Sequence, residues 1–385
     1  MRLGDIATMV ADPIGVIQIL PELIAGGVER GTLELSRFLV QGGHRSLVVS
    51  QGGPMVEKLL KEGGRHLRMS YIGEKSPRCL LHLWPLRRLF QQREYPIVHL
   101  RSRLPAWVAY LAWKSLPVCR RPGLVTTFHG FYSINAYSAI MTKGQRVIAI
   151  SRAVADHIQQ YYGTPRSRIR LIYRGIDPDV FHPSRVGPER VARLRRKWGL
   201  DGREPMIMLP GRVTRLKGHA VFIRALAHIR NIPWRAVCLG VFDYRSSFFQ
   251  ELNCLIDALG LRDRVQFAGH EDDMPAAYVA ADLIISASTD KPEAFGRVAI
   301  EAQAMARPVI ASAHGGSLET VLDGRTGWLF EPGDADGLAR TIRKALARPD
   351  LTGELGRNGF RRVHDRFTTW KMCQATLDLY RQLLF

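Results

Sequence analysis

Two glutamates stand eight residues apart, Glu293 and Glu301, in the stretch KPEAFGRVAIEAQAMARPVIASAHGG. The segment predicts a helix from near Phe295 to about Ala306, rich in alanine and therefore closely packed. A carboxylate left unpaired on such a helix would be costly. Glu301 thus needs hydroxyl donors or a cation, unless it faces solvent. A sugar or a ribose supplies hydroxyls. Glu293 falls in the loop before the helix. There the backbone N–H groups of Ala294, Phe295 and Gly296 point outward, as orphan donors of a helix start do. The turn HGGSLETV, with Gly315, Gly316 and Glu319, is expected to close the same crevice.

A second group lies upstream in GRVTRLKGH, with Gly211, Arg212, Lys217 and Gly218. It lacks the G-x-x-x-x-G-K-[ST] pattern of a Walker loop. It still delivers two cations from a strand-to-helix turn, where a helix amino end adds positive potential. Two such cations suit a diphosphate without a metal. The alternative is a loop with solvated charges. His129 and Gly130 follow the apolar run LVTTF, and Gly26–Gly27 open a helix after VIQIL. A single histidine at a strand end is commonly structural. Many helices also begin after glycine.

These residues need elements to hold them. VIQIL (16–20), SLVVS (46–50), IVHL (97–100), LVTTF (124–128), RVIAI (146–150) and IRLIY (169–173) read as strands with helices between. Near-continuous apolar strands in strand–helix alternation mean an α/β fold with a parallel sheet covered on both faces. The pattern breaks at RGIDPDVFHPSRVGP (174–188), a linker by its Pro, Gly and charge content. It resumes with MIMLP (206–210), AVCLG (236–240), VQFAG (265–269), LIISAS (283–288) and PVIAS (308–312). Two doubly wound domains are expected, with chemistry at the carboxyl ends of their strands. Their bounds are 1–180 and 181–366, with a last helix over 367–385.

The chain has 385 residues, 46% of them hydrophobic, which suits two globular domains. Its formal charge is +20, and 26 of its 55 Lys and Arg face only 12 Asp and Glu within residues 1–185. A basic surface suits anionic membranes or phosphorylated substrates. Cys79, Cys119, Cys238, Cys254 and Cys373 are scattered, which argues against disulfide scaffolds and zinc sites. No apolar run reaches the ~18 residues of a membrane span. The first residues, MRLGDIATMVADP, lack a secretory apolar region. RCLLHLWPLRRLFQQR (78–93) mixes Leu, Trp and Phe with Arg, as a segment lying in a membrane interface would, and WVAYLAWK (107–114) adds two tryptophans. The alternative is a core helix with a basic outer face, broken at Pro85.

Several of these segments together resemble glycosyltransferase family 4. They are GGVE (26–29), VHLRSR (98–103), TTFHG (126–130), AISRAVADHI (149–158), RGID (174–177), GRVTRLKG (211–218), PEAFGRVAIEAQAMARPVIAS (292–312) and GG-x-x-E-T (315–320). The likeness covers nearly the whole chain. Its ordered E-x7-E element is the specific part. It implies a GT-B fold, two facing Rossmann-like domains with a central cleft, and transfer of a sugar from a nucleotide-sugar donor (UDP-, GDP- or ADP-linked) with retention of configuration. It implies that Arg212 and Lys217 bind the donor diphosphate, with Gly211 in their loop. Glu293 and the N–H groups of Ala294, Phe295 and Gly296 would hold the sugar, and Glu301 the ribose. The base would pack near Gly269, His270 and Met274. Gly27 would approach the phosphates or sugar, and His129 the reacting carbon. No cofactor or metal is implied, and no nucleic acid. The acceptor would be a glycan or lipid-linked molecule of lipopolysaccharide or surface polysaccharide synthesis. The place would be the cytoplasm or the inner face of its membrane. The family's Asn-Gly-Val-Asp is here Arg174-Gly175-Ile176-Asp177. Arg174 either alters the hinge or adds charge. Asp177-Pro178-Asp179 and Asp334-Ala335-Asp336 imitate a metal-binding D-x-D but sit where turns are expected.

Three other readings compete. A basic nucleic-acid module leaves the glutamates unexplained and lacks a recognisable motif. A nicotinamide oxidoreductase needs G-x-G-x-x-G, which is absent. A phosphorylase or epimerase on the same fold is separable by product analysis with and without phosphate.

Overall fold

In a computed structural model, residues 13–24, 26–200, 202 and 204–384 are described. The first twelve residues, on which the expectation about a secretory segment rests, lie outside them. The chain forms two compact units, one ending at Tyr173 and resuming at Met372, the other Arg174–Lys371.

The first unit is built on seven parallel strands: β1 (Gly15–Ile19), β2 (Arg45–Ser50), β3 (Arg65–Arg68), β4 (Ile97–Leu100), β5 (Gly123–Phe128), β6 (Arg146–Ala149) and β7 (Ile169–Leu171). Their order is β3-β2-β1-β4-β5-β6-β7. The second has six, β8 (Met206–Pro210), β9 (Arg235–Leu239), β10 (Val265–Gly269), β11 (Leu283–Ser286), β12 (Val309–Ser312) and β13 (Trp328–Phe330). Their order is β10-β9-β8-β11-β12-β13. All pairs are parallel. Each order reverses once, between β1 and β4 and between β8 and β11. At such a switch point the flanking helices diverge to opposite faces and leave a crevice at the carboxyl ends of the strands.

The central strands are buried at every position in β1, β4, β8, β11 and β12. The core of the second unit packs Ile207, Phe222, Trp234, Ile285, Ile310 and Ile342 in one cluster. β3 (RHLR) and β13 (WLF) carry no long apolar run and were not expected. Both are edge strands.

The expected bounds shift in two places. The chain passes to the second unit at 173/174, seven residues before the expected 180/181, so the linker belongs to the second unit. Ile176 bridges Thr368 there, and its N–H donates to the Phe367 carbonyl. Arg174 is buried, so it adds no surface charge. The last helix is Thr369–Leu384, and the return to the first unit comes at Met372, later than 367. Met372, Cys373, Leu377 and Tyr380 pack on Ile97, Val125 and Ile148 of the first sheet. Asp177 accepts from the Asp179 N–H, and Asp334 from the Gly337 N–H at a helix start, so both D-x-D strings cap turns.

Candidate active site

The loops leaving β8 and β11 meet at the switch point of the second sheet. The β8 loop carries Gly211, Arg212 and the short turn Arg215–Lys217, and Gly218 then starts the helix His219–Ala227. Gly218 has φ 70°, and a Cβ there would overlap the Ala287 carbonyl just after β11. Only glycine lets the two loops come this close. The approach carries Lys217 to Glu293: its Nζ lies 2.7 Å from Oε2, and the Ser288 hydroxyl donates to the same oxygen at 2.9 Å. Both contacts fall on Oε2. Oε1 has no protein partner among the described residues and keeps its lone pairs for other donors. Lys217 likewise spends one of three N–H groups on this pair.

Burial alone would raise the Glu293 carboxyl. The charge and hydrogen bond of Lys217, the Ser288 hydroxyl and the nearby His314 outweigh it and hold the group below its usual range. It is a carboxylate near neutral pH. His314, on the HGG turn, is pulled down chiefly by burial and is therefore neutral there. That turn reaches the same loop: the Gly316 N–H donates to the Glu293 carbonyl at 2.7 Å, and a Cβ on Gly316 would overlap the Phe295 backbone. Arg215 is committed elsewhere, paired to Glu251 and lying over Phe248. Arg212 is exposed and makes no ion pair among the described residues. The Gly211 N–H is spent on the Leu239 carbonyl of β9.

The helix after this loop is Arg297–Ala304, shorter than the expected Phe295–Ala306, and Gly296 caps it at φ 93°. The N–H groups of Ala294 and Gly296 make no hydrogen bond among the described residues. The Phe295 side chain is core, buried edge-on against Phe367, and is therefore not a ligand contact. Glu301 does not face solvent; it is 7% exposed. Arg297 grips Oε1 through Nε and an Nη at 3.1 and 2.9 Å, and the Tyr278 hydroxyl donates to Oε2 at 3.0 Å. The cation and a hydroxyl that such a carboxylate requires thus come from the chain itself. A carboxylate has about four acceptor positions, so these three bonds leave about one.

Tyr278 ties Glu301 to the helix Met274–Ala280, whose first residue is Met274. Gly269 ends β10, with φ 75°. His270 points to Asp272 at 3.1 Å in an exposed turn. Glu271 and Asp273 are held by Lys197 and Arg190. The expected base-binding stretch is thus fixed by ion pairs at the carboxyl end of β10 and connected through Tyr278 to Glu301.

Gly27 and His129 belong to the first unit. Gly27 begins the helix Gly27–Gln41 after β1, and His129 follows β5, its N–H 3.3 Å from the Tyr132 hydroxyl. At that sheet's own switch point stands Arg101, which sequence reasoning passed over. It follows β4, is 4% exposed, and donates to Gln18 of β1 at 3.2 Å. Burial pulls its guanidinium below the usual range despite the partly offsetting Tyr380, Cys373 and acidic groups. Tyr278 and His314 were missed too, because Glu301 and Glu293 lie more than twenty residues from them in sequence; Ser288 was missed although it stands only five residues before Glu293. Arg297 stood in plain view, four residues before Glu301 and on its helix face. Among the described residues no three His, Cys, Asp or Glu cluster as a metal site. No described helix is long and apolar enough to cross a membrane.

Residues 191–362 match the family described as glycosyl transferases group 1, and residues 25–180 match Glycosyltransferase Family 4. A crystallised glycosyltransferase from Rickettsia africae is 34% identical, with 97% of this chain and 99% of that chain covered and a TM-score of 0.89. The chain belongs to these glycosyltransferases. Its fold class is GT-B. A lipopolysaccharide core biosynthesis mannosyltransferase from Rhizobium leguminosarum is 30% identical over 235 residues, 60% of the transferase described here and 64% of the relative. An Anabaena protein crystallised with UDP and glucose shares the fold at 24% identity, with a TM-score of 0.81 over 95% and 99% of the two chains.

Proposed function

We propose that this glycosyltransferase moves a sugar, with retention of configuration, from a nucleotide-sugar donor to a glycan or lipid-linked acceptor in lipopolysaccharide or surface-polysaccharide synthesis. The observation that carries the reading is the Lys217–Glu293 pair across the β8/β11 switch point. It places a cation with spare donors beside a carboxylate with a spare oxygen, the two things a sugar diphosphate presents partners for. In this reading Lys217 and Arg212 hold the diphosphate and stabilise the charge that grows on the leaving phosphate. Glu293 Oε1 accepts sugar hydroxyls, and the Ala294 and Gly296 N–H groups donate to the same sugar. Glu301 keeps one acceptor position for a ribose hydroxyl, and the base packs at 269–274. Gly27 and His129, which the family resemblance implies for the donor, lie in the first unit, after β1 and β5. The leaving phosphate takes the acceptor's proton on the face it departs from, so no dedicated base is needed. Two cations do the work of a metal.

The test is thermal stability against UDP-, GDP-, ADP- and CMP-sugars with EDTA present. A donor at about 100 times its Kd adds roughly 2.7 kcal/mol. Glu301→Gln is the informative variant, because alanine would strand the Arg297 guanidinium. One nucleotide class is expected to stabilise the wild type and to stabilise Glu301→Gln less. Equal stabilisation of both would remove Glu301 from ribose binding. Stabilisation by none would overturn the donor reading.

Membrane contact is part of the same proposal, and one patch supports it. Leu81 and Trp84 are 69% and 66% exposed, and Arg87 lies 5.2 Å over the Trp84 ring. Pro85 sits in the first turn of the helix Leu83–Phe90, where proline is tolerated, and does not break it. The second stretch is different: Trp107 and Trp113 donate to the carbonyls of Tyr137 and Pro122 and are anchored in the unit. Co-sedimentation with anionic vesicles at low salt is expected to weaken roughly tenfold or more in Leu81→Ser/Trp84→Ser, given the apolar area removed. Vesicle binding that ignores both residues would sink this patch as the contact.

A further inference from the structure

The second unit has a basic cavity that the donor reading does not use. Helix Pro349–Arg366 ends in NGFRRVHDR. Asn358, Arg361, Arg362, Asp365 and Arg366 follow the i, i+3, i+4, i+7, i+8 spacing of a single helix face. That face and the turn around Arg325 and Thr326 line a cavity of about 550 Å³. Four guanidiniums and one carboxylate share it. The volume is in the range of sites for small organic ligands.

The four arginines are not equivalent. Arg362 is part of the wall: it donates to the Glu319 and Thr320 carbonyls and lies 4.8 Å over the Phe367 ring. Arg361 reaches Asn358 at 3.3 Å. Arg325 and Arg366 are exposed, and their side chains make no hydrogen bond or ion pair among the described residues. Asp365, the one acid, lies 3.5 Å from Lys371 and is partly neutralised there. Four like charges gathered in one concavity against a single carboxylate repel, and the arrangement is relieved by an anion. Planar guanidinium forks match the paired oxygens of a phosphate, which a halide lacks, and a diphosphate offers several such pairs to several forks at once. A basic helix face can also be merely solvated, but here it faces a second basic turn across a cavity.

We propose that this cavity binds the phosphate or diphosphate group of a ligand other than the sugar donor, held by Arg325, Arg361 and Arg366. The site also touches the donor loop. The segment 315–320 is bonded to Glu293 through the Gly316 N–H and to Arg362 through the Glu319 and Thr320 carbonyls. An anion in the cavity therefore bears on the wall that supports Glu293.

The probe is pyrophosphate, titrated calorimetrically at low salt into the full chain carrying Lys217→Ala, which disables the donor loop. Pyrophosphate is expected to bind this protein. Adding Arg325→Gln/Arg366→Gln is expected to weaken it roughly tenfold or more, since two charge-assisted contacts go. Arg325→Lys/Arg366→Lys, which keeps charge and loses the forks, is expected to fall between. Both side chains are exposed, so unchanged circular dichroism and melting are expected of these variants. No binding to Lys217→Ala, or binding indifferent to the glutamine pair, would overturn the site. Phosphatidylcholine vesicles with and without phosphatidic acid identify the source. If the glutamine pair also abolishes phosphatidate-dependent binding, the site takes a lipid headgroup; if it abolishes only pyrophosphate binding, the site takes a soluble phosphate. The donor panel above runs on the protein with Lys217 intact, so either reading can fail alone.

Discussion

Replacing Lys217 by alanine is expected to lower kcat/KM for sugar transfer by roughly 10²- to 10³-fold, the usual cost of one preorganised group that stabilises developing charge. The reason lies in the geometry of the β8 and β11 loops. Lys217 is held at 2.7 Å by Glu293 before any donor arrives, so its charge needs little reorganisation when the phosphate departs. Glu293→Gln keeps the shape and a hydrogen bond but removes the charge, and a smaller loss is expected. The two side chains touch, so the double variant should lose less than the sum of the singles. Stability carries a second signature. Glu293 is held below its usual 4.5. A depressed carboxyl contributes stability that is full above the unfolded value and lost as pH falls through the folded one. Without Lys217 the largest charge that lowers it is gone. Urea unfolding should then show the stability gap between wild type and Lys217→Ala closing as pH falls, because the variant has less of this carboxylate's stability left to lose. An unchanged kcat/KM would remove Lys217 from the chemistry. An unchanged acid profile would remove it as the cause of the lowered carboxyl.

The parts of this site that were readable in sequence are those whose cause is local. Central strands are buried on both faces and so nearly continuously apolar, interrupted by Gln18, His99, Ser286 and Ser312, and β1, β4, β8, β11 and β12 stand out as runs. The loops after β8 and β11 are readable from their glycines and charges. The edge strands β3 and β13 are not, because an edge needs no continuous apolar run. The environment of Glu301 was half readable. Its need for a cation and a hydroxyl follows from an Ala-rich helix, and Arg297 satisfies the spacing. Tyr278 lies on another helix, and nothing local marks it as the second donor. Lys217 and Glu293 are 76 positions apart, and only the sheet order brings their loops together. The same holds for His314. Pro85 was misread for a local reason: its effect depends on whether it falls in a first turn or an interior one, and the helix start was not evident. The change of unit at 173/174 was hidden because the linker's prolines and charges read as solvent-facing while Ile176 and Arg174 are buried.

Gly218→Ala should be among the most damaging single-methyl changes in the second unit, and a matched control separates its causes. Gly218 and Gly260 both sit in the left-handed region, at φ 70° and 64°. An L-residue there costs about 1–2 kcal/mol by local sterics alone. Around Gly260 a Cβ meets nothing within 4 Å, whereas at Gly218 it overlaps the Ala287 carbonyl, a backbone atom with no rotamer to yield. Gly260→Ala is therefore expected to lose only the local cost. Gly218→Ala must push the β8 loop off the β11 loop, and roughly 3–5 kcal/mol is expected, the range of backbone clashes with a named cause. Because Lys217 is the preceding residue and Ser288 follows Ala287, the same displacement pulls the ammonium away from Glu293. Activity in the surviving folded fraction should fall at least as far as in Lys217→Ala. Urea unfolding of both variants, with kcat/KM measured where each is fully folded, decides the matter. Equal losses of stability would mean the close approach of the two loops does not constrain them. A destabilised Gly218→Ala with normal kcat/KM would mean the Lys217–Glu293 pair is held by something other than that approach.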